Sequence, residues 1–441
     1  MRSKIVSSII NILIAFLTLT IFLIFYKAYL VDPDRKLYFL SHLFFLLPVV
    51  LFTFFVRFQN KNFQENYIIT IVMSLICIYS FEFFTYSQMV KKNQFQFNEN
   101  IRAAKKLNVQ FDDRNYDEVF EELQKKDKKP FPSVVRDLLS INGKKVQTFG
   151  TLSNRFILMC NESGKWITYN SDRYGFNNPD KVWDNNIDIL ILGDSSGEGQ
   201  CVDQSKNFAS SIRNSKNINA AQVGGSGMGS MFEYAIYKEF LQNKKIENLV
   251  IFFLLNDLDN LKSEKNNPIL MSYMNQENYT QNIFSKKSEI DRVMEDKYFK
   301  KKRGEKKLLI KRFIKVHHTR DYIKRLVTKE DVSLFSTYYV NEEMLEIVID
   351  VYKKIRTEYQ GNLYIGYVPS AGSFIGTDAH KQKLKEIRLK IIKKLRENQF
   401  NVLDFYETLS KEKVDEILPF GKNVKAENHY SEYGHEIIAN Y

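Results

Sequence analysis

The sequence predicts an α/β domain built on a parallel sheet with helices on both faces, preceded by about three transmembrane helices. Three observations lead there. The first ninety of the 441 residues are dominated by long uncharged apolar runs, whereas the mean hydropathy of the whole chain is −0.33. Membrane-like and water-like parts are therefore separate. Beyond about residue 150, short apolar runs alternate with helical periodicity, the pattern of a parallel sheet covered on both faces. Hydroxyl, glycine, amide and histidine groups follow these runs, where an open parallel sheet collects its reactive groups.

Composition narrows the class. Apolar residues at 44% and charged residues at 26% fit neither a wholly disordered chain nor a many-helix transporter. Eight prolines and eighteen glycines exclude collagen-like or proline-rich low complexity. The net charge of +12 is local. Lys297 to Arg325 holds thirteen Lys/Arg against Glu305 and Asp321, residues 1–90 carry +3, and the remainder is close to neutral. One basic strip beside membrane spans does not make a nucleic-acid protein.

The anchor is expected over residues 1–90. Ile5–Tyr26 has no charge and, at 1.5 Å per residue, reaches about 33 Å as a helix, enough for a hydrocarbon core of roughly 30 Å. A second uncharged run covers 37–56, with His42 and Pro48 inside it, and a third covers 67–89, interrupted by Glu82. We read Glu82 as interfacial, near the helix end, rather than as an intramembrane functional acid. Three spans place the N-terminus and the soluble domain on opposite sides. Lys and Arg flanking the spans are nearly balanced, so charge alone barely sets the orientation. Cys160 and Cys201 are the only cysteines outside the spans. They suit a disulfide in an oxidising compartment, and two separate buried thiols fit almost as well.

Residues 91–149 are polar and helical in pattern, broken by Pro130 and Pro132, and are expected as a stalk or lead-in. Strands are expected at Ile187–Leu192, near Ile218–Val223, at Leu249–Leu255, Leu363–Val368 and Asn401–Phe405. Helices are expected at Phe208–Asn214, Met231–Gln242, Glu342–Glu358 and His380–Glu397. After the first strand stands Gly193-Asp194-Ser195; after the second, Gly224, Gly225, Gly227 and Gly229; after the third, Asn256-Asp257. Before the closing helix stands Glu427-Asn428-His429.

Acyl transfer needs such a set. A serine hydroxyl becomes a nucleophile when a histidine accepts its proton, and a carboxylate must hold that histidine's tautomer. Ser195, His429 and Glu427 are the candidates for these roles. The developing oxyanion needs preorganised donors, for which the Ser195 N–H, the Gly227 N–H and the Asn256 side-chain amide are the candidates. A glycine at 227 lets backbone approach closely. Asp194 reads as a brace for the nucleophile turn.

Taken together, these blocks resemble the SGNH/GDSL hydrolase superfamily, whose Ser, Gly, Asn and His occur in this order. Gly193-Asp194-Ser195, Gln222 to Gly229, Asn256-Asp257, and Glu427-Asn428-His429-Tyr430-Ser431 with Gly434-His435 look like its four blocks. Ser171 to Pro179 and Asn256 to Leu261 are similar to a membrane-anchored bacterial subgroup. The chain departs from the pattern at Glu427, where Asp is usual, at Ser431, where Asn is frequent, and at Leu254, where Gly is usual. The resemblance covers about 150–441 and implies a three-layer, flavodoxin-like hydrolase domain. In that subgroup cysteines like Cys160 and Cys201 recur, which implies a disulfide.

The other histidines have plainer readings. His435 packs or caps the last helix, His317-His318 lie in the basic strip without metal-ligand spacing, and His380 is solvated. Neither a metal nor another cofactor is expected. The insertion at about 260–340 interrupts the sheet pattern near the expected site rim, as a lid or substrate wall would. Within it, Leu308, Leu309, Phe313, Ile314 and Val316 interleave with Lys306, Lys307, Lys311, Arg312 and Lys315. Such a helix suits anionic lipid or an anionic glycan; packing on its own domain with a solvated lysine face is the equal alternative.

The resulting expectation is a multi-pass protein of the bacterial inner membrane, with its catalytic domain periplasmic or otherwise extracytoplasmic. It would act as a serine esterase on ester groups of a cell-envelope glycan or lipid. An O-acetyltransferase of envelope polysaccharide using the same site, and a non-catalytic envelope binding or assembly module, are the alternatives. The expected partners are an acylated glycan or lipid, membrane lipid and a membrane-bound acyltransferase, and no nucleic acid.

Overall fold

The computed structural model describes residues 2–31, 36–328, 340–424 and 428–441. Two compact units emerge, Met1–Val90 with Lys306–Glu330, and Lys91–Glu305 with Asp331–Tyr441.

In the first unit the apolar runs form helices Arg2–Tyr26, Lys36–Val56 and Lys61–Asn93. Two stretches, Lys4–Leu30 and Lys61–Lys91, are long and apolar enough to cross a membrane. The middle helix, Lys36–Val56, is 21 residues long and holds Pro48. Two of the three expected spans thus meet the length and hydropathy of a membrane crossing among the described residues.

The strip from Lys306 onward joins this unit. Helix Lys287–Ile314 turns at Val316, a β-branched residue at φ +51°, into helix His317–Thr328. Glu82 is buried and accepts the backbone N–H groups of His318 (3.0 Å) and Thr319 (2.7 Å). A carboxylate at a helix start satisfies donors that have no intrahelical partner. The acid that interrupts the third apolar run thus caps the second helix of the insertion.

The second unit begins with helices Phe95–Leu107 and Tyr116–Lys125, the latter closed by an Asn115/Glu118 capping box. Strands β1 (Phe131–Pro132), β4 (Phe156–Leu158) and β5 (Thr168–Asn170) form a small sheet, and β2 (Leu138–Ile141) and β3 (Lys144–Gln147) a hairpin. Its turn, Asn142-Gly143, has positive φ at both residues, as a two-residue hairpin turn requires. Residues 91–149, expected as a stalk, are thus part of the compact unit.

The central sheet is parallel throughout. Its strands β6 (Ile187–Gly193), β7 (Ala220–Gly224), β8 (Ile246–Phe253), β9 (Asn362–Tyr367) and β10 (Asn401–Asp404) lie in the order β10-β9-β8-β6-β7. Side chains alternate between two buried faces. Leu190, Leu192, Leu249 and Ile251 meet helices Glu342–Glu358 and Asp378–Glu397, while Ile191, Val250 and Phe252 meet helices Phe208–Lys216 and Glu432–Ala439. Burial on both faces explains why these strands read as apolar runs. Because β7 and β8 flank β6 on opposite sides, a crevice opens beyond the carboxyl end of β6.

Candidate active site

At the end of β6, Asp194 caps the short helix Ser195–Glu198, its Oδ1 accepting the Ser196 N–H at 2.9 Å. This places Ser195 on the first residue of a helix. Its Oγ is 3.0 Å from His429 Nε2 and 3.3 Å from Asp194 Oδ2. His429 lies just before helix Glu432–Ala439, whose start is capped by Ser431.

The carboxylate on the other side of the ring is Glu162. His429 Nδ1 is 3.0 and 3.2 Å from its two oxygens, and the His429 backbone N–H donates to Oε2 at 2.7 Å. Both contacts are satisfied by the tautomer with the proton on Nδ1, which leaves Nε2 to accept from Ser195. Glu427, the residue expected to orient the histidine, lies outside the described residues. The position it was expected to fill on Nδ1 is held by Glu162, whose chelating contact to ring and backbone fixes the imidazole at two points.

Glu162 is itself buried and braced. Gln96, in helix Phe95–Leu107, donates from Nε2 to Glu162 Oε1 (2.9 Å) and to Asn428 Oδ1 (3.0 Å), and Asn428 donates on to Asn100 (2.9 Å). Cys160 and Cys201 form a disulfide with Cα atoms 5.3 Å apart. Cys160 precedes Glu162 by two residues and Cys201 follows the nucleophile helix, so the bond ties the acid's loop to the nucleophile's. Donor atoms of Glu162, Cys201 and His429 lie within 4.8 Å of one another. The disulfide consumes the Cys201 sulfur, so this trio offers no thiolate to a metal.

Asn256 follows β8, and its Nδ2 donates to Asp194 Oδ2 at 2.8 Å, leaving the second amide hydrogen for another acceptor. Gly227 has φ +71°, the left-handed region that favours glycine, and the Arg136 guanidinium bonds its carbonyl. A cleft of about 210 Å³ brings together Ser195, Leu254, Asn256, Pro369, Ala371 and His429; among the described residues of this unit, neither Gly227 nor any residue of 260–305 is part of its wall. This first part of the insertion, expected at the rim, does not line the cleft.

Glu198, buried three residues after the nucleophile, links the blocks: it accepts from Ser133 and, at 3.0 Å, from the Ser226 N–H of the glycine loop. Burial pushes its pKa up to about 7, partly opposed by those hydrogen bonds. Burial also lowers that of His429, but the charge and hydrogen bond of Glu162, with Asp194 and Glu198 beyond, overcome it and push the pKa up to about 9. His435 behaves oppositely: buried and stacked on Phe208 at 3.6 Å, it is pushed down to about 3 by desolvation and by His429.

The Ser171–Pro179 segment is a brace. Asp172 accepts from Tyr174 N, Phe176 N, Asn178 Nδ2 and Trp183 Nε1. Asn178 then pairs with the Gln222 backbone of β7, and Asn177 donates to the Glu198 carbonyl.

No family model matches the chain, and no curated protein does. Similar solved structures include a member of the lipolytic protein G-D-S-L family from Veillonella parvula DSM 2008 (13% identity, TM-score 0.30, 58% of this chain and 94% of that one). A hydrolase from the metagenome of Lake Arreo, Spain, matches at 10% identity and TM-score 0.30 over 58% and 94%. A carbohydrate esterase family 2 enzyme of Corynascus thermopiles (Myceliophthora fergusii) matches at 11% identity and TM-score 0.29 over 58% and 65%.

Proposed function

We propose that this chain is a membrane-anchored, SGNH-type serine hydrolase that cleaves ester groups of a cell-envelope glycan or lipid. The observation that carries the chemistry is the Ser195–His429–Glu162 relay, with contacts of 3.0 Å on both sides of the imidazole. His429 takes the Ser195 proton as Oγ attacks the ester carbonyl, and Glu162 stabilises the imidazolium that forms. The Ser195 N–H at the helix start and the second Asn256 amide hydrogen receive the developing oxyanion. His429 returns the proton to the leaving alcohol, which departs and leaves an acyl-Ser195 ester. An acceptor hydroxyl, from water or a sugar, then releases the acyl group by the reverse proton path. The anchor rests on the two apolar helices of membrane length, and the envelope substrate on the motif resemblance together with that anchor.

The test is labelling of the detergent-solubilised full chain with a fluorophosphonate probe. Wild type should label, whereas Ser195→Ala and His429→Ala should not. A folded wild type that stays unlabelled would sink the proposal and favour a binding module.

A further inference from the structure

The first unit contains an apolar groove. Phe83 and Tyr86 of helix Lys61–Asn93 form one wall; Leu309, Ile310, Phe313 and Ile314 of the insertion form the other; His318 closes one side. Its volume is about 290 Å³, roughly twice an engineered apolar cavity that stays dry and takes up benzene. The groove is open to its surroundings: Phe83, Ile310 and Ile314 remain 60% or more exposed. The Tyr79–Phe313 ring stack at 5.6 Å and the Glu82 cap on helix His317–Thr328 pin the two walls together.

Two further observations say what fits there. His318 is buried, yet its Nε2 has no hydrogen-bond partner among the described residues, so a polar group of an occupant has a waiting partner in an otherwise apolar wall. By the 3.6-residue period, Leu309, Phe313, Ile310 and Ile314 cover an arc of about 140° on their helix. Exposed Lys311 and Lys315 border one edge of that arc, and exposed Arg312 the other. Apolar arc and cationic borders match an acyl chain under an anionic headgroup.

We propose that this groove is a binding site for one anionic phospholipid, its acyl chain between Phe83 and Ile310, its phosphate at Lys311 and Lys315 on the Ile310/Ile314 edge, and a glycerol-ester or headgroup oxygen at His318. Each cation near an anionic headgroup is worth about fivefold in affinity. The test is native mass spectrometry of the full chain in detergent with equal amounts of dioleoyl phosphatidylglycerol and dioleoyl phosphatidylcholine. Phosphatidylglycerol adducts should exceed the other at least about fivefold. Ile310→Trp and Phe83→Trp, which fill the groove from opposite walls, should each remove that excess, as should the combined Lys311→Gln, Lys315→Gln variant. Equal adducts on wild type, or an excess untouched by both tryptophans, would overturn the proposal. Should the variants misfold, a phosphatidylglycerol with a photoreactive acyl chain decides on wild type. Crosslinks concentrated on Phe83–Tyr86 and Leu309–Ile314 support the site, and crosslinks spread evenly over the apolar helices refute it.

Discussion

Replacing Glu162 by Gln tests the catalytic assignment most directly, because Glu427 is the acid that the motif order favours. The loss can be bounded from the structure. Burial disfavours His429 imidazolium, and Glu162 with its neighbours more than reverses this, raising the pKa from an ordinary value of about 6.5 to about 9. At 1.36 kcal/mol per unit that is about 3 kcal/mol of stabilisation of the charged ring, a few hundred-fold in rate if the transition state carries full imidazolium. An amide that turns its NH2 toward Nδ1 also selects the wrong tautomer, and amide-for-acid changes in serine triads reach about 10⁴-fold. We therefore expect Glu162→Gln to lower kcat/KM for p-nitrophenyl acetate, measured on the plateau above the His429 midpoint where the base is neutral in both enzymes, by between about 300-fold and 10⁴-fold, with unchanged circular dichroism. Glu427→Gln should stay near wild type. A Glu162→Gln enzyme that keeps more than about a tenth of its activity, or an equal loss in Glu427→Gln, would refute the reasoning.

The free enzyme's kcat/KM should rise with pH through a midpoint near 9, because His429 must be neutral to act as base, and Glu162→Gln should move that midpoint toward acid. Gln96→Leu removes a hydrogen bond to Glu162; about tenfold lower kcat/KM with an altered pH midpoint is expected, where a merely structural contact would leave the midpoint in place. Cys201→Ser opens a crosslink spanning 41 residues, worth about 4 kcal/mol in the chain-entropy account, and should lower the Tm by several degrees, read by thermal unfolding with and without reductant. His435 stays neutral when folded but takes a proton when unfolded below about pH 6.5, so stability falls as pH drops from there toward 3 by about 1.4 kcal/mol per unit. His435→Phe should flatten that slope in denaturant titrations at pH 4 and 6.

The parts of the fold that were legible were those whose side-chain pattern is set by burial on both faces. The five central strands emerge close to the expected positions because each must be apolar on two sides, and helix Glu342–Glu358 has its expected bounds because Asn341 caps it. The lead-in was illegible for the opposite reason. Strands of two to four residues such as Phe131–Pro132 carry no period, and the Asn142-Gly143 pair is the one local hairpin signal there.

The same contrast explains the acid. Serine and histidine are legible because each is tied to a sheet edge or a helix start that the local sequence creates, whereas an orienting carboxylate needs only to reach Nδ1 and can come from anywhere in the fold. Here it comes from a loop between two three-residue strands, far from the histidine in sequence. A signal did exist. If Cys160 is bonded to Cys201, a few residues beyond Ser195, then Glu162 is carried to within reach of the nucleophile regardless of what stands before His429. Gln96 had no comparable mark, since one glutamine in a polar helix reads as solvated. Its contact with Glu162 ties the acid to helix Phe95–Leu107 of the same unit, so the bracing of the relay depends on where that helix is held.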